Sequence, residues 1–223
     1  MSKNFYVGAI RVVQRLFVFS SFLILFSAAT AANNLTFAQT STESWQSAPR
    51  DVRFALNDVL KNKDHRGLPF AIVDKQSAQL FVFNAAGQLQ GVAPALLGLA
   101  LGDVELVQAG GSDGQGLKPA ERTTPAGRFV SEPGRNLAGE AIVWVDYTAR
   151  LAIHRLRPAA AHERRAERLA SSTPDDNRIT LGCVVVPPLF YDTVVAPTLG
   201  LGYGVVYVLP ENDKQQRLHA IAH

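Results

Sequence analysis

From Pro69 to Pro210 the chain breaks into short runs rich in Val, Ile, Phe and Leu, separated by turn residues. Runs of that length cannot bury themselves as helices, which need about ten or more residues, so they predict strands stacked into a mainly β domain. PFAIVD, QLFVFN and the stretch around APALLGLAL read as strands, with turns at Asp74 to Ala78 and Asn84 to Gly87. GRFVSEP and AIVWVDY follow, and RLAIHRL completes a hairpin with AIVWVDY through Thr148-Ala149. GVVYVLP is the last strand, and ENDKQQRLHAIAH is a polar tail.

Helical signals are few. Val52, Ala55, Leu56, Val59 and Leu60 recur at helical spacing and predict an amphipathic helix over Asp51 to Lys61. AAAHERRAERLA has high helix propensity and is expected on the surface. Pro187-Pro188 should start another short helix, with Leu189, Phe190, Thr193 and Val194 as its apolar face. Ala109 to Gly116, AGGSDGQG, is too glycine-rich for regular structure and reads as a mobile loop without the Lys-Ser or Lys-Thr pair of a phosphate cradle.

The chain opens like an exported protein. Lys3, Arg11 and Arg15 precede an apolar run from Leu16 to Ala29, closed by Ala29-Thr30-Ala31, the order of a secretory signal peptide. At about 14 residues the run is short for a membrane span. The expected organisation is a signal peptide over 1–31, a linker over 32–48, one folded domain over 49–210 with its core from 69, and the tail over 211–223. Without the leader's three basic residues the formal charge falls from +3 to zero, which leaves no net positive field to attract nucleic acid. The expected location is periplasmic or otherwise exported, the alternative being an uncleaved anchor.

That makes the single cysteine, Cys183, conspicuous. Exported proteins pair their structural cysteines, so a leftover one is a buried apolar residue, a partner for another chain or a reactive thiol. Gly182-Cys183 follows the strand-like Arg178 to Leu181 and precedes the proline-started helix, with glycine freeing the backbone beside the sulfur. Alternation in RLAIHRL places Ala152, His154 and Leu156 on one strand face and Leu151, Ile153 and Arg155 on the other. A histidine paired with a loop cysteine meets the needs of nucleophilic catalysis: an accessible sulfur, a base and backbone N–H groups to hold an oxyanion.

The order AIVDKQSAQLFVFNAAG, ERTTPAGRF, His154 and Thr180-Leu181-Gly182-Cys183 resembles the catalytic domain of the L,D-transpeptidases of bacterial cell walls. The resemblance implies an L,D-transpeptidase-like β-sandwich with a few short helices. It also implies attack by cysteine on the stem-peptide bond between meso-diaminopimelate and a terminal D-alanine, giving a thioester that a second stem's amine or water resolves. By that resemblance Cys183 is the nucleophile and His154 the base; Gly182 and Cys183 offer oxyanion N–H groups, and Thr180 shapes the loop. The partners implied are peptidoglycan stem peptides, with no cofactor, no metal and no membrane span after signal cleavage.

Departures from the family pattern are Leu181 before the glycine, Val185 two after the cysteine and Arg155 after the histidine. The spacing from His154 to Cys183 is longer than usual and holds AAAHERRAERLA and SSTPDDN, read as an inserted wall beside the cleft or as a solvated helix and loop. Arg178 and Arg155 are the candidate contacts for a substrate carboxylate. Trp144 and Tyr147 are expected to pack on the hairpin, and Asp146 is a candidate neighbour of His154. His219 and His223 lack a third metal ligand. The alternative function is a peptidoglycan-binding or structural relative that no longer turns over. A papain-like endopeptidase is disfavoured, because there the cysteine precedes the histidine.

Overall fold

The computed structural model describes residues 48–104 and 118–211. The expected signal peptide, nearly all of the linker, the loop at Ala109 to Gly116, and His219 and His223 lie outside the described residues. Among the described residues no helix is long and apolar enough to cross a membrane.

The protein is mainly β with a few short helices, as its hydrophobic runs predict. Helix α1 (Arg50–Asn62) buries Val52, Ala55, Leu56 and Val59 and stops at Lys63, whose left-handed backbone (φ 53°) turns its N–H back to the Leu60 carbonyl. Strands β1 (Phe70–Asp74), β2 (Gln79–Phe83) and β3 (Leu89–Pro94) form an antiparallel meander. Strand β3 begins at Leu89, ahead of Ala93, where the apolar stretch expected to form it starts. Strand β4 (Leu97–Gly98) is the short remainder of that stretch.

Strands β5 (Gly127–Arg135), β6 (Ala141–Asp146) and β7 (Leu151–Arg155) continue the chain, with β6 and β7 forming the expected hairpin. Next come α2 (Arg165–Ala170), β8 (Arg178–Thr180) and β9 (Val184–Val186). Helical residues 188–199 (α3) and β10 (Gly204–Val208) complete the fold.

One eight-stranded sheet runs β3-β2-β1-β10-β5-β6-β7-β9, and β4 pairs with β8 in a two-stranded sheet. Strand β5 is shared: Gly127–Ser131 pair with β10, and Glu132–Arg135 with β6. Apolar side chains from both ends of the large sheet meet in one cluster: Ala71, Val73, Leu80 and Val82 from one end, Val143, Ile153, Val184 and Val186 from the other. The two halves therefore face each other as a sandwich that turns its corner at β5. The opposite faces of β1, β2 and β10 are covered by α1 through Phe70, Ile72, Phe81 and Tyr207. Full burial of each such side chain stabilises the fold by roughly 1.5–3 kcal/mol.

Two helices differ from expectation. AAAHERRAERLA is split by Arg164, in left-handed backbone at φ 48°, into a 3-10 turn (Ala161–Glu163) and α2. Propensity alone favoured one helix, and the tertiary setting overrides it. In α3, Pro197 lacks the N–H that would bond the Thr193 carbonyl, and the preceding turn, Tyr191–Val195, widens to a π turn. Phe190 and Val194 pack partly buried against the core as expected, Tyr191, Val195 and Leu199 are fully buried beside them, and Leu189 and Thr193 are exposed.

The TTPAGRF turn serves two neighbours. Arg128 donates from Nε to Asp64 Oδ2 (2.6 Å) and from Nη2 to the Asp64 carbonyl (2.9 Å), holding the segment after α1 on the sheet. Tyr207 donates its hydroxyl to the same carboxylate at 2.5 Å. Thr124, at the other end of the turn, faces the loop that carries Cys183.

Candidate active site

Cys183 lies in the turn from β8 to β9, and that turn requires glycine. Gly182 has φ +142°, and a Cβ there would stand 2.7 Å from the Thr123 carbonyl oxygen. Two buried threonines hold the turn. The Thr124 hydroxyl donates to the Gly182 carbonyl (2.8 Å) and accepts from the Gly98 N–H (2.9 Å). The Thr180 hydroxyl donates to the Cys183 carbonyl (2.8 Å) and accepts from the Gly182 N–H (3.1 Å). The Gly182 N–H, expected as an oxyanion donor, is thus already engaged by Thr180.

β7 and β9 run parallel, with Ile153 opposite Val184 and His154 opposite Val185. Side chains alternate along each strand, so Ala152, His154 and Val185 share one face, and Cys183, in the turn just before β9, packs with Val185 at the end of that face. The His154 Nδ1 lies 2.9 Å from the Arg155 carbonyl. A carbonyl only accepts, so Nδ1 carries the proton and Nε2 presents a lone pair. Burial, followed by weaker effects that include the positive charges of Arg157 and Arg165, lowers the imidazole pKa to about 4. Histidine is therefore neutral across the physiological range.

The thiol of Cys183 is half-buried and points at the Arg150 carbonyl, a long 3.5 Å contact. Burial pushes the thiol up, against backbone N–H groups of Ala152 and Cys183 itself and the charges of Arg157 and Arg165, which favour the thiolate. The resting pair is a neutral thiol beside a neutral imidazole. Alkylation of Cys183 by iodoacetamide is accordingly expected to keep rising with pH past about 9, the ordinary thiol range being near 8.5. A plateau reached by pH 7 would mean a resting thiolate and contradict this state.

The other expected contacts lie elsewhere. Arg178 is buried, donating from Nη2 to the Lys75 carbonyl (2.7 Å) and pairing with Glu211, so its charge is committed inside the fold. Glu211, expected to open the polar tail, is a buried ion-pair partner. Arg155 follows His154 by one residue and so points to the opposite face, onto the Tyr191 ring (4.7 Å) and Asp192 (2.6 Å). The Asp146 carboxylate accepts from the Ala149 N–H and caps the hairpin turn. Val185 is buried with Leu96 and Leu169, so a polar residue there would be desolvated and not turned to substrate.

Along the same sheet face, Glu132, Trp144 and Ala152 stand in register beside Cys183. Trp144 meets Tyr147 edge-on at 5.1 Å; Tyr147, expected to pack, is exposed. These rings border a hollow of about 460 Å³. On the other side, past Leu156, a cavity of about 330 Å³ is lined by Arg157 and Arg165, which the sequence reading did not single out. Their only signal was position: Arg157 is three residues after His154, and Arg165 lies in the inserted segment.

No protein-family profile matches the sequence, and no curated protein matches it. Solved structures are similar over part of the chain. Helical cell shape determining protein Pgp2 from Campylobacter jejuni aligns with TM-score 0.40 and 13% identity, covering 74% of this chain and 58% of that one. An L,D-transpeptidase from Mycobacterium smegmatis aligns with TM-score 0.36 and 16% identity, covering 63% and 58%. The catalytic domain of the Enterococcus faecium L,D-transpeptidase aligns with TM-score 0.34 and 16% identity, covering 63% of this chain and 96% of that domain. The match spans about half, 49%, of the chain in the Ldtfm-avibactam carbamoyl enzyme.

Proposed function

We propose that this chain is an exported cysteine acyltransferase acting on peptidoglycan stem peptides in the manner of an L,D-transpeptidase. The observation that carries the reading is that His154 on β7 stands opposite Val185 of β9, against which Cys183 packs from the turn that enters that strand, with the imidazole tautomer set by the Arg155 carbonyl. The motif resemblance around Thr124-Pro125 and Thr180-Leu181-Gly182-Cys183 supplies the substrate class.

In this reaction the thiol rotates from the Arg150 carbonyl toward His154 Nε2 and gives up its proton as sulfur attacks the donor carbonyl carbon. The backbone N–H of Cys183, beside the sulfur, holds the oxyanion. The C–N bond to D-alanine breaks, and the imidazolium protonates the leaving amine. The resulting thioester is attacked by a second stem's amine or by water, whose proton passes to His154 as sulfur leaves. No step needs a metal or redox partner. With a pKa of about 4 the base stays unprotonated in the resting enzyme, and the thiol transfers its proton only as the C–S bond forms.

The test is mass spectrometry of disaccharide-tetrapeptide incubated with the full chain. Expected are loss of D-alanine, a cross-linked or trimmed product, and an acyl adduct on the Cys183 peptide. Intact substrate and no adduct on a folded protein would overturn the reading in favour of a wall-binding relative. The pH profile of kcat/KM should keep its acid limb below about pH 5, since His154 is the group that must be neutral.

A further inference from the structure

We propose that the cavity built by the inserted segment after β7 is a carboxylate subsite, in which Arg157 and Arg165 grip the free C-terminal carboxylate of the acyl-donor peptide. The inference rests on the function proposed above and names the part of the donor that this cleft selects.

The cavity adjoins the nucleophile. Leu156 lines it and also packs in the cluster that contains Val185 and Cys183. Arg157 and Arg165 line the cavity together with Leu156, and their positive charges disfavour the imidazolium of His154 and favour the thiolate of Cys183. At about 330 Å³ the space is at the small end for ligand sites, roughly 300–1,000 Å³, with room for a terminal residue and not for a glycan strand. Ala160, Ala161 and Ala166 contribute methyl groups to its wall, a surface suited to another methyl.

The arginines are placed to exchange partners. Arg157 Nε stands 3.1 Å from Glu140 Oε2, yet the atom is buried without an aligned hydrogen bond. Arg165 meets Glu163 through Nε at 2.5 Å. Both pairs are partly exposed on each side, so neither guanidinium is locked into the fold. Arg164 pairs with Glu167 at the rim, so those two charges cancel. Partly exposed ion pairs are weakly held, and an incoming carboxylate met by two guanidinium forks gains more than it displaces. In the proposed reaction the group one residue beyond the attacked carbonyl is the terminal carboxylate, within reach of a cavity beside Cys183.

Binding separates this proposal from catalysis. On the full chain carrying Cys183→Ala, calorimetry compares a stem tetrapeptide ending in D-alanine with its C-terminal amide. The acid should bind about tenfold or more tightly than the amide at low salt. Arg157→Gln with Arg165→Gln should bring the acid down to the amide's affinity and leave the amide unchanged. Should the double variant lose its circular dichroism, Arg157→Gln alone must reduce the ratio, and the acid-to-amide comparison in the parent needs no arginine change. Equal or undetectable binding of both peptides, or a ratio that survives the arginine changes, overturns the subsite. Failure of the unsubstituted chain to release D-alanine, with the acid preference intact, would sink the enzyme reading and leave the subsite standing.

Discussion

Cys183→Ala is expected to abolish D-alanine release and acyl-adduct formation while costing the fold about 1 kcal/mol or less. The reason is the division of labour in the turn. Its shape comes from Gly182, Thr124 and Thr180, whose hydrogen bonds involve backbone atoms of residues 182 and 183 and not the sulfur. The side chain itself is half-buried and adds only a small apolar contact to Leu96, Leu169 and Val185. The companion change, His154→Ala, should lower the acylation rate by about 10²–10⁴, the range of general-base catalysis. Thermal unfolding and intact-protein mass spectrometry after donor incubation measure the two quantities separately. Residual acylation in Cys183→Ala, or an unchanged rate in His154→Ala, would show that another residue carries the chemistry.

Lys75→Met should destabilise the protein by about 3–5 kcal/mol, the usual effect of removing one partner of a buried charge pair. The Lys75 side chain is wholly buried, and its ammonium spends its three hydrogens on the Gly102 carbonyl (2.7 Å), Asp103 Oδ1 (2.8 Å) and the Thr124 carbonyl (2.9 Å). Burial lowers its pKa, opposed chiefly by the hydrogen bond to Asp103. The same network includes the Glu211 N–H on Asp103 (2.8 Å), the Gly102 N–H on Glu211 (2.8 Å) and the Arg178–Glu211 pair. Two cations and two anions thus tie the turn after β1, the chain beyond β4, the start of β8 and the chain beyond β10. Methionine fills similar space but orphans two carbonyls and a carboxylate. Because Thr124 in turn holds Gly182, the variant should also change the alkylation rate of Cys183, where a purely remote support would leave it alone. Urea unfolding reads the first effect, and a loss under about 1 kcal/mol would contradict the buried-network account.

The strands were legible because their information is local. Valine, isoleucine and phenylalanine runs bounded by turn residues describe FAIVD, QLFVF, AIVWVD and GVVYV without reference to anything distant, and helix α1 is written in its own periodicity. The reading failed where a neighbour overrode the local pattern. Pro197 widened α3, which buries Tyr191, Val195 and Leu199 deepest and leaves the expected Phe190 and Val194 only partly buried, and Arg164 broke the helix that propensity favoured. Strand β3 was mostly missed because LQGVAP is partly exposed and lacks the apolar density of its neighbours.

By itself the sequence determined a mainly β chain, a glycine-cysteine turn and a strand histidine, because strand periodicity and glycine's backbone freedom are properties of single residues and their near neighbours. Tertiary structure alone decided what those residues can do. The parallel register of β7 on β9 sets His154 opposite Val185, against which Cys183 packs, and alternation sends Arg155 to the other face. Burial draws Arg178 and Lys75 into an ion network and leaves Arg157 and Arg165 at the cleft. An arginine looks the same in sequence whether it is a core strut or a ligand contact. Its role follows from how far it is desolvated and which charges meet it, and those are set by residues up to a hundred positions away in the chain.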